Sequence, residues 1–329
     1  MLAAVAAVVV VGAAGVALVA GRDRDELGIP PEAVDSDALS GPGSPLGDGL
    51  VVAEGSALIG LPIPGGRAGL AIGSAGSGFS AYLFIDGEPG QVVDEYLAQA
   101  AANGFQPLLA PNDGDGFEAG PIPAERNRVG RCGLELSQEP SFAPSYVCAA
   151  TAENAQGRCF DVSILRNERY SHGFVRLYEP TAPPGTCLPS SITGDLDEPA
   201  PAMPTEWAVR PPVGTELGGR FGSLAAVPVQ PGSHLAGAPA AGADHVFCAA
   251  VAALRVTGDP KVVLERYVTD VRAVLPLEGL EWRSANVSVG GVSLEERSVV
   301  VPAGGDTYVL DLVTSEDGTA FLYAYTCAG

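Results

Sequence analysis

The chain of 329 residues carries 39 acidic against 18 basic side chains, a formal charge of −21, with 47% hydrophobic residues, 43 Gly and 28 Pro. That acidity argues against nucleic acid and against docking of the body on anionic lipid, since both would repel it. The apolar fraction is enough for real cores, and the Gly and Pro content implies many turns and irregular connections.

Residues Leu2–Ala20 form an unbroken run of Ala, Val, Gly and Leu. As a helix the run spans roughly 28 Å, close to the thickness of a bilayer's hydrocarbon core. No charged side chain precedes it, and Val19-Ala20-Gly21 makes only a passable cleavage site. Residues 1–21 are therefore expected to be a transmembrane anchor or signal-anchor; cleavage would instead leave a secreted body. Ala3 with Ala7 and Ala13 with Ala17 have the spacing of helix-pairing motifs, a spacing nearly unavoidable in so Ala-rich a segment.

Arg22 and Arg24 favour a cytoplasmic position for the end of the run. The six cysteines, Cys132, Cys148, Cys159, Cys187, Cys248 and Cys327, favour an oxidising compartment for the body, and they carry more weight. The low lysine use, with Lys261 alone, and the Ala, Gly, Pro and Val excess suggest a GC-rich bacterial genome.

Residues 22–48 are rich in Pro, Gly, Ser and Asp, with few large apolar side chains, and read as a flexible stalk. A first domain is expected over 49–187 and a second over 215–329. Between them, residues 188–214 hold Pro189, Pro199, Pro201, Pro204, Pro211 and Pro212 and read as a Pro-rich linker.

The two domains look related. Glu88-Pro89 opens a helical stretch with Val92, Val93, Tyr96 and Leu97, and Asp259-Pro260 opens another with Val263, Leu264, Tyr267 and Val268. Proline at the first helical position after an acidic residue is a start signal, and the shared apolar spacing gives each helix one buried face. Upstream, Gly55-Ser56 matches Gly222-Ser223. Each helix follows a predicted strand, 81–85 and 247–256, and precedes several β-rich runs. Asp161-Val162-Ser163 near the end of the first set parallels Asp311-Leu312-Val313 in the second.

The expected fold class is thus α+β: an N-terminal transmembrane helix followed by two related small domains, each one helix packed on an antiparallel sheet. Cores this thin gain from disulfides. Cys248 and Cys327 are the second half's only cysteines and are expected to pair. The four in the first half allow three connectivities, of which Cys132–Cys148 with Cys159–Cys187 is preferred and Cys148–Cys159 with Cys132–Cys187 is the main rival.

Candidate chemistry is sparse. His172, His234 and His245 lack metal-ligand spacing, and Asp244-His245 with Cys248 sketches at most a partial metal site. Ser171-His172 and Ser233-His234 are neighbours outside any nucleophile elbow. Gly73, Gly76 and Gly78 lack the lysine and order of a phosphate loop, and Asn112–Glu118 departs from the calcium-loop pattern. Trp207 reads as an anchor onto a neighbouring domain, while Trp282 begins a predicted strand.

No catalytic, cofactor or metal residue is assigned, and no cofactor is expected. The implied role is a membrane-anchored, extracytoplasmic bacterial cell-envelope module for binding or scaffolding an envelope protein or ligand, without catalysis. The alternatives are an exported hydrolase with an interdomain active site and an extracytoplasmic sensor domain.

Overall fold

The computed structural model describes residues 36–64, 78–108, 132–135, 145–166, 171–179, 187, 228–236, 240–244, 248–274, 279–303 and 306–328. A first unit contains β1 (Ser56–Ile59), β2 (Phe79–Ile85), α1 (Pro89–Ala102), β3 (Phe105–Leu108), β4 (Ser145–Asn154), β5 (Cys159–Arg166) and β6 (Ser171–Tyr178). These strands form an antiparallel sheet in the order β1-β2-β6-β5-β4-β3, with Ile63–Pro64 added on β2 and Cys132–Glu135 on β4.

A second unit contains β7 (Ser233–Leu235), β8 (Cys248–Val256), α2 (Pro260–Val274), β9 (Glu281–Val289), β10 (Val292–Ala303), β11 (Asp306–Ser315) and β12 (Ala320–Ala328). Their order is β7-β8-β12-β11-β10-β9, again antiparallel, with Ala240–Asp244 added on β8. Position by position, this is the strand order of the first unit.

The equivalence reaches single hydrogen bonds. In the first unit the Tyr96 hydroxyl accepts from Ala53 N at 3.2 Å and lies 3.0 Å from Ser56 Oγ, which donates to Ala53 O. In the second, the Tyr267 hydroxyl accepts from Gln230 N at 3.0 Å and lies 2.8 Å from Ser233 Oγ, which donates to Gln230 O. Each serine's proton goes to a carbonyl, so each tyrosine's proton goes to its serine. Burial raises both phenol pKa values and keeps them neutral. The serine that matches Ser56 is thus Ser233, preceded by Gly232. The upstream match of Gly55-Ser56 with Gly222-Ser223 was displaced, and that second pair lies outside the described residues. The carbonyls of Gly55 and Gly232 each accept two amides, from Asp86 and Gly87 and from Thr257 and Gly258. Their φ angles of 72° and 85° suit glycine.

The expected α+β class, with two separate domains of one helix on its own sheet, is corrected. The described residues form eighteen strands and two α-helices, a mostly β architecture, and no described helix is long and apolar enough to cross a membrane. Leu2–Ala20 and the linker 188–214 lie outside the described residues. The physical reason is that the first sheet does not finish its core against α1. On β12, Ala320, Leu322 and Ala324 join the cluster around α2, whereas Phe321 and Tyr323 join the cluster that holds Phe79, Tyr82 and Val93 of the first unit. Side chains on a strand alternate between faces, so the second sheet offers one face to its own helix and the other to the first unit. Ala240–Asp244 lies against β5 and β6. Helix starts were visible in the sequence; this sheet-to-sheet contact was not.

Part of the expected stalk is also ordered. Residues Ser36–Ala38 form a 3-10 turn, Leu39–Ser40 pairs with β1, and Leu46 is fully buried. Only residues 22–35 of that segment lie outside the described residues.

Candidate functional site

The two units meet beside a clasp. Tyr323 Oη, on β12, accepts from Leu61 N at 2.8 Å and donates to Leu61 O at 2.7 Å. Burial pushes this phenol's pKa well up, so it stays protonated and can serve both bonds. The close approach requires glycine at position 60. A Cβ there would collide with Tyr323 Oη and lie 2.9 Å from the Phe321 ring, and the φ of 81° is itself unfavourable for other residues.

Next to the clasp a cavity of about 420 Å³ opens between Leu39, Ser40 and Leu61 of the first unit and Arg255, Glu316, Asp317 and Phe321 of the second. Arg255 Nη1 stands 3.9 Å from Asp37 Oδ2 across the junction. The Asp317 carboxylate accepts from Ser315 Oγ and, at 2.9 Å, from Thr319 N. Those bonds, the serine's first, hold its pKa below the ordinary carboxylate value. A second depression of about 550 Å³ shares Ser315 and Glu316 and extends along the sheet over Asn286, Ser293 and Glu295. Chemically the groove combines carboxylates, one guanidinium and an aromatic ring, a set suited to holding a small polar ligand.

Deeper in, the first sheet carries a row of polar side chains across four strands. Register places Thr151, Asp161, Arg176 and Ser80 side by side on β4, β5, β6 and β2, and all four are buried. Arg176 Nη2 bonds Asp161 Oδ2 at 3.1 Å. The corresponding row of the second sheet reads Ser298, Asp311, Tyr323 and Ala253. Where the first unit uses its arginine inside its own sheet, the second has the tyrosine of the inter-unit clasp.

Residues singled out in the sequence are dispersed. His172 is buried on β6 of the first sheet, 5.9 Å from the Tyr82 ring, whereas His234 lies on β7 of the second. Burial lowers the His172 pKa to about 3, so its imidazole is neutral. Ser171 accepts from Arg166 Nε, and Ser233 is engaged with Tyr267. As adjacent strand residues, each serine points to the opposite face from its histidine, which separates the neighbours sketched above as pairs. Asp244 and Cys248 are register partners, and His245 lies outside the described residues, as do Gly73, Gly76, 112–118 and Trp207. Gly78 approaches the Leu177 carbonyl so closely that a Cβ would collide with it, a packing role. No group of three His, Cys, Asp or Glu side chains suited to a metal occurs among the described residues.

Of the three connectivities open to the first half's cysteines, the structure holds Cys132–Cys148 and Cys159–Cys187. The first bond joins directly opposed residues of Cys132–Glu135 and β4. Cys248 and Cys327 stand opposite each other in the register of β8 and β12. Sequence reasoning missed Gly60, Arg255, Phe321 and Tyr323, because their meeting depends on how the sheets stack and has no local signal.

No family model and no curated protein matches the chain. Among solved structures, an acyl-CoA thioesterase II TesB2 from Mycobacterium marinum is similar at 12% identity, covering 62% of this chain and 83% of that one, with a TM-score of 0.14. A tesB protein from Mycobacterium avium subspecies paratuberculosis is similar at 11% identity, covering 76% and 92%, also with a TM-score of 0.14. Likenesses this loose assign neither fold nor chemistry. The disulfides point to an oxidising, extracytoplasmic environment for the body.

Proposed function

We propose that the chain is a non-catalytic binding or scaffolding module of a bacterial cell envelope, tethered to the membrane by Leu2–Ala20 with its body on the extracytoplasmic side. The observation that carries the binding role is a groove walled by both units and held in shape by the Tyr323 clasp. A preorganised cleft at a junction between units is where small ligands bind with the least ordering cost. The two disulfides support the compartment.

The test is thermal unfolding of the full chain, solubilised in detergent, against envelope fragments: muropeptides, soluble phospholipid headgroups and short peptides. One class is expected to raise the Tm in a concentration-dependent way for the native chain, and to lose that effect in Arg255→Ala. Saturable turnover of an ester or amide, abolished by a substitution in the groove, would replace binding with catalysis. Protease added to intact cells should trim the body, and its survival would overturn the orientation.

A further inference from the structure

The last strand of the second sheet, β9, runs from Glu281 to Val289 and pairs with β10 in unbroken register from Glu281↔Val300 to Val289↔Val292. The hairpin closes on Gly290-Gly291, both with positive φ, of 59° and 83°. In such a two-residue turn the flanking pair, Val289 and Val292, exchanges both hydrogen bonds, and the pattern then alternates. The odd-numbered residues of β9 therefore bond to β10. Trp282, Ser284, Asn286 and Ser288 aim their N–H and C=O groups away from it.

On that side no strand of the described residues pairs with β9. These same four residues are exposed, and Trp282 shows 52% of its surface. Natural sheets guard long edges with lysine, proline or a bulge. β9 has none of these, and its two charges, Glu281 and Arg283, already bond each other at 2.8 Å. The equivalent edge of the first unit, β3, is only four residues long and contains Pro107. Among the described residues, one edge of the duplicated pattern is guarded and the other is unpaired.

We propose that β9 pairs antiparallel with β9 of a second copy of this chain, about a two-fold axis through Ala285, joining two second-unit sheets into one. The strand is complementary to itself in this register. Ser284 meets the partner's Asn286 and Trp282 meets the partner's Ser288, and these are the residues whose backbone groups point outward. On the other face Ala285 meets its own copy, Arg283 the partner's Val287 and Glu281 the partner's Val289, so no like charges stand opposed. All nine residues take part, which no other register achieves. A small serine opposite Trp282 leaves room for the indole to lie across the seam. The net charge of −21 per chain opposes association over distance and is screened within about 8 Å at physiological salt. Added salt therefore strengthens the dimer.

The experiment uses the detergent-solubilised full chain in sedimentation velocity and under oxidation. The native chain is expected to form dimers that tighten from low to high salt. In Ala285→Cys the two new thiols face each other across a non-hydrogen-bonded pair and should give an interchain disulfide, whereas Ser284→Cys should not. Asn286→Pro removes an outward N–H without taking one from β10. By symmetry it deletes two bonds across the seam, which should raise the dimer Kd by about tenfold to a hundredfold with the circular dichroism unchanged. A native chain that stays monomeric in high salt would overturn the proposal. So would a dimer that persists in Asn286→Pro and fails to cross-link through Ala285→Cys.

Discussion

Tyr323 on β12 holds both backbone groups of Leu61, donating to its carbonyl at 2.7 Å and accepting from its amide at 2.8 Å. One hydroxyl therefore satisfies two partly buried polar groups that belong to the other unit. Tyr323→Phe leaves both without that partner and should cost about 1–3 kcal/mol in denaturant unfolding. Hydrogen exchange at Leu61 should accelerate by more than at Ala53, whose amide is held within the first unit by Tyr96. Equal acceleration at both sites would mean that the clasp does not act locally. Gly60→Ala should be at least as damaging, since it adds backbone strain to a collision with the same hydroxyl.

The Asp161–Arg176 pair makes a different kind of contribution. Both side chains are almost fully buried, so desolvation offsets much of their attraction. Removing only one partner strands the other charge. Arg176→Met is expected to destabilise by about 3–5 kcal/mol, and the double variant Arg176→Met with Asp161→Leu should recover much of that loss. A double-mutant cycle in urea measures the difference. No recovery would place the importance of Arg176 in its packing and not in its charge.

Local signals in the sequence were readable where the chemistry is local. Glu88 caps α1 by accepting from Gln91 N at 2.8 Å, and Asp259 caps α2 by accepting from Lys261 N at 2.9 Å, each ahead of a proline in the first turn. The turn before the edge strand was harder. Gly222-Ser223 repeats the Gly55-Ser56 dipeptide, but ten residues ahead of the structural equivalent. The hydrogen bonds to Tyr267 identify Gly232-Ser233. Composition also mistook residues 36–48 for a stalk. A segment poor in large apolar groups can still be ordered when the few it has, such as Leu46, enter a core built by others. The groove was illegible because Gly60, Arg255 and Tyr323 come together only when two sheets stack, and no periodicity records that.

His172 makes stability depend on pH. Its imidazole titrates at about 3 in the folded chain because burial opposes the charged form, against about 6.5 when unfolded. As pH falls below 6.5 the unfolded chain takes up a proton that the folded chain refuses. The contribution of this residue is therefore complete above pH 6.5 and is lost progressively towards pH 3. Its slope is about 1.4 kcal/mol per pH unit in the middle of that range. Unfolding free energies measured from pH 7 to 4 should fall less steeply for His172→Phe than for the native chain. Parallel curves would mean that the native state admits the proton through local opening.

The cysteines give the sharpest statement about where the chain works. Cys159–Cys187 closes a loop with a sequence separation of 28, and removing it should cost about 3–4 kcal/mol through the added freedom of the unfolded chain. Cys132–Cys148, with a separation of 16, should be worth about 3 kcal/mol. Replacing each pair by alanines and comparing thermal unfolding with that of the reduced native chain checks both values. Cys248 and Cys327, opposed across β8 and β12, should complete a third bond. Alkylation of the native chain under denaturing, non-reducing conditions is then expected to label no thiol. Two labelled thiols would locate the exception in the second unit, and six would return the body to a reducing compartment. That last outcome would remove the extracytoplasmic half of the proposed function while leaving the inter-unit groove and the open β9 edge to be judged by their own experiments.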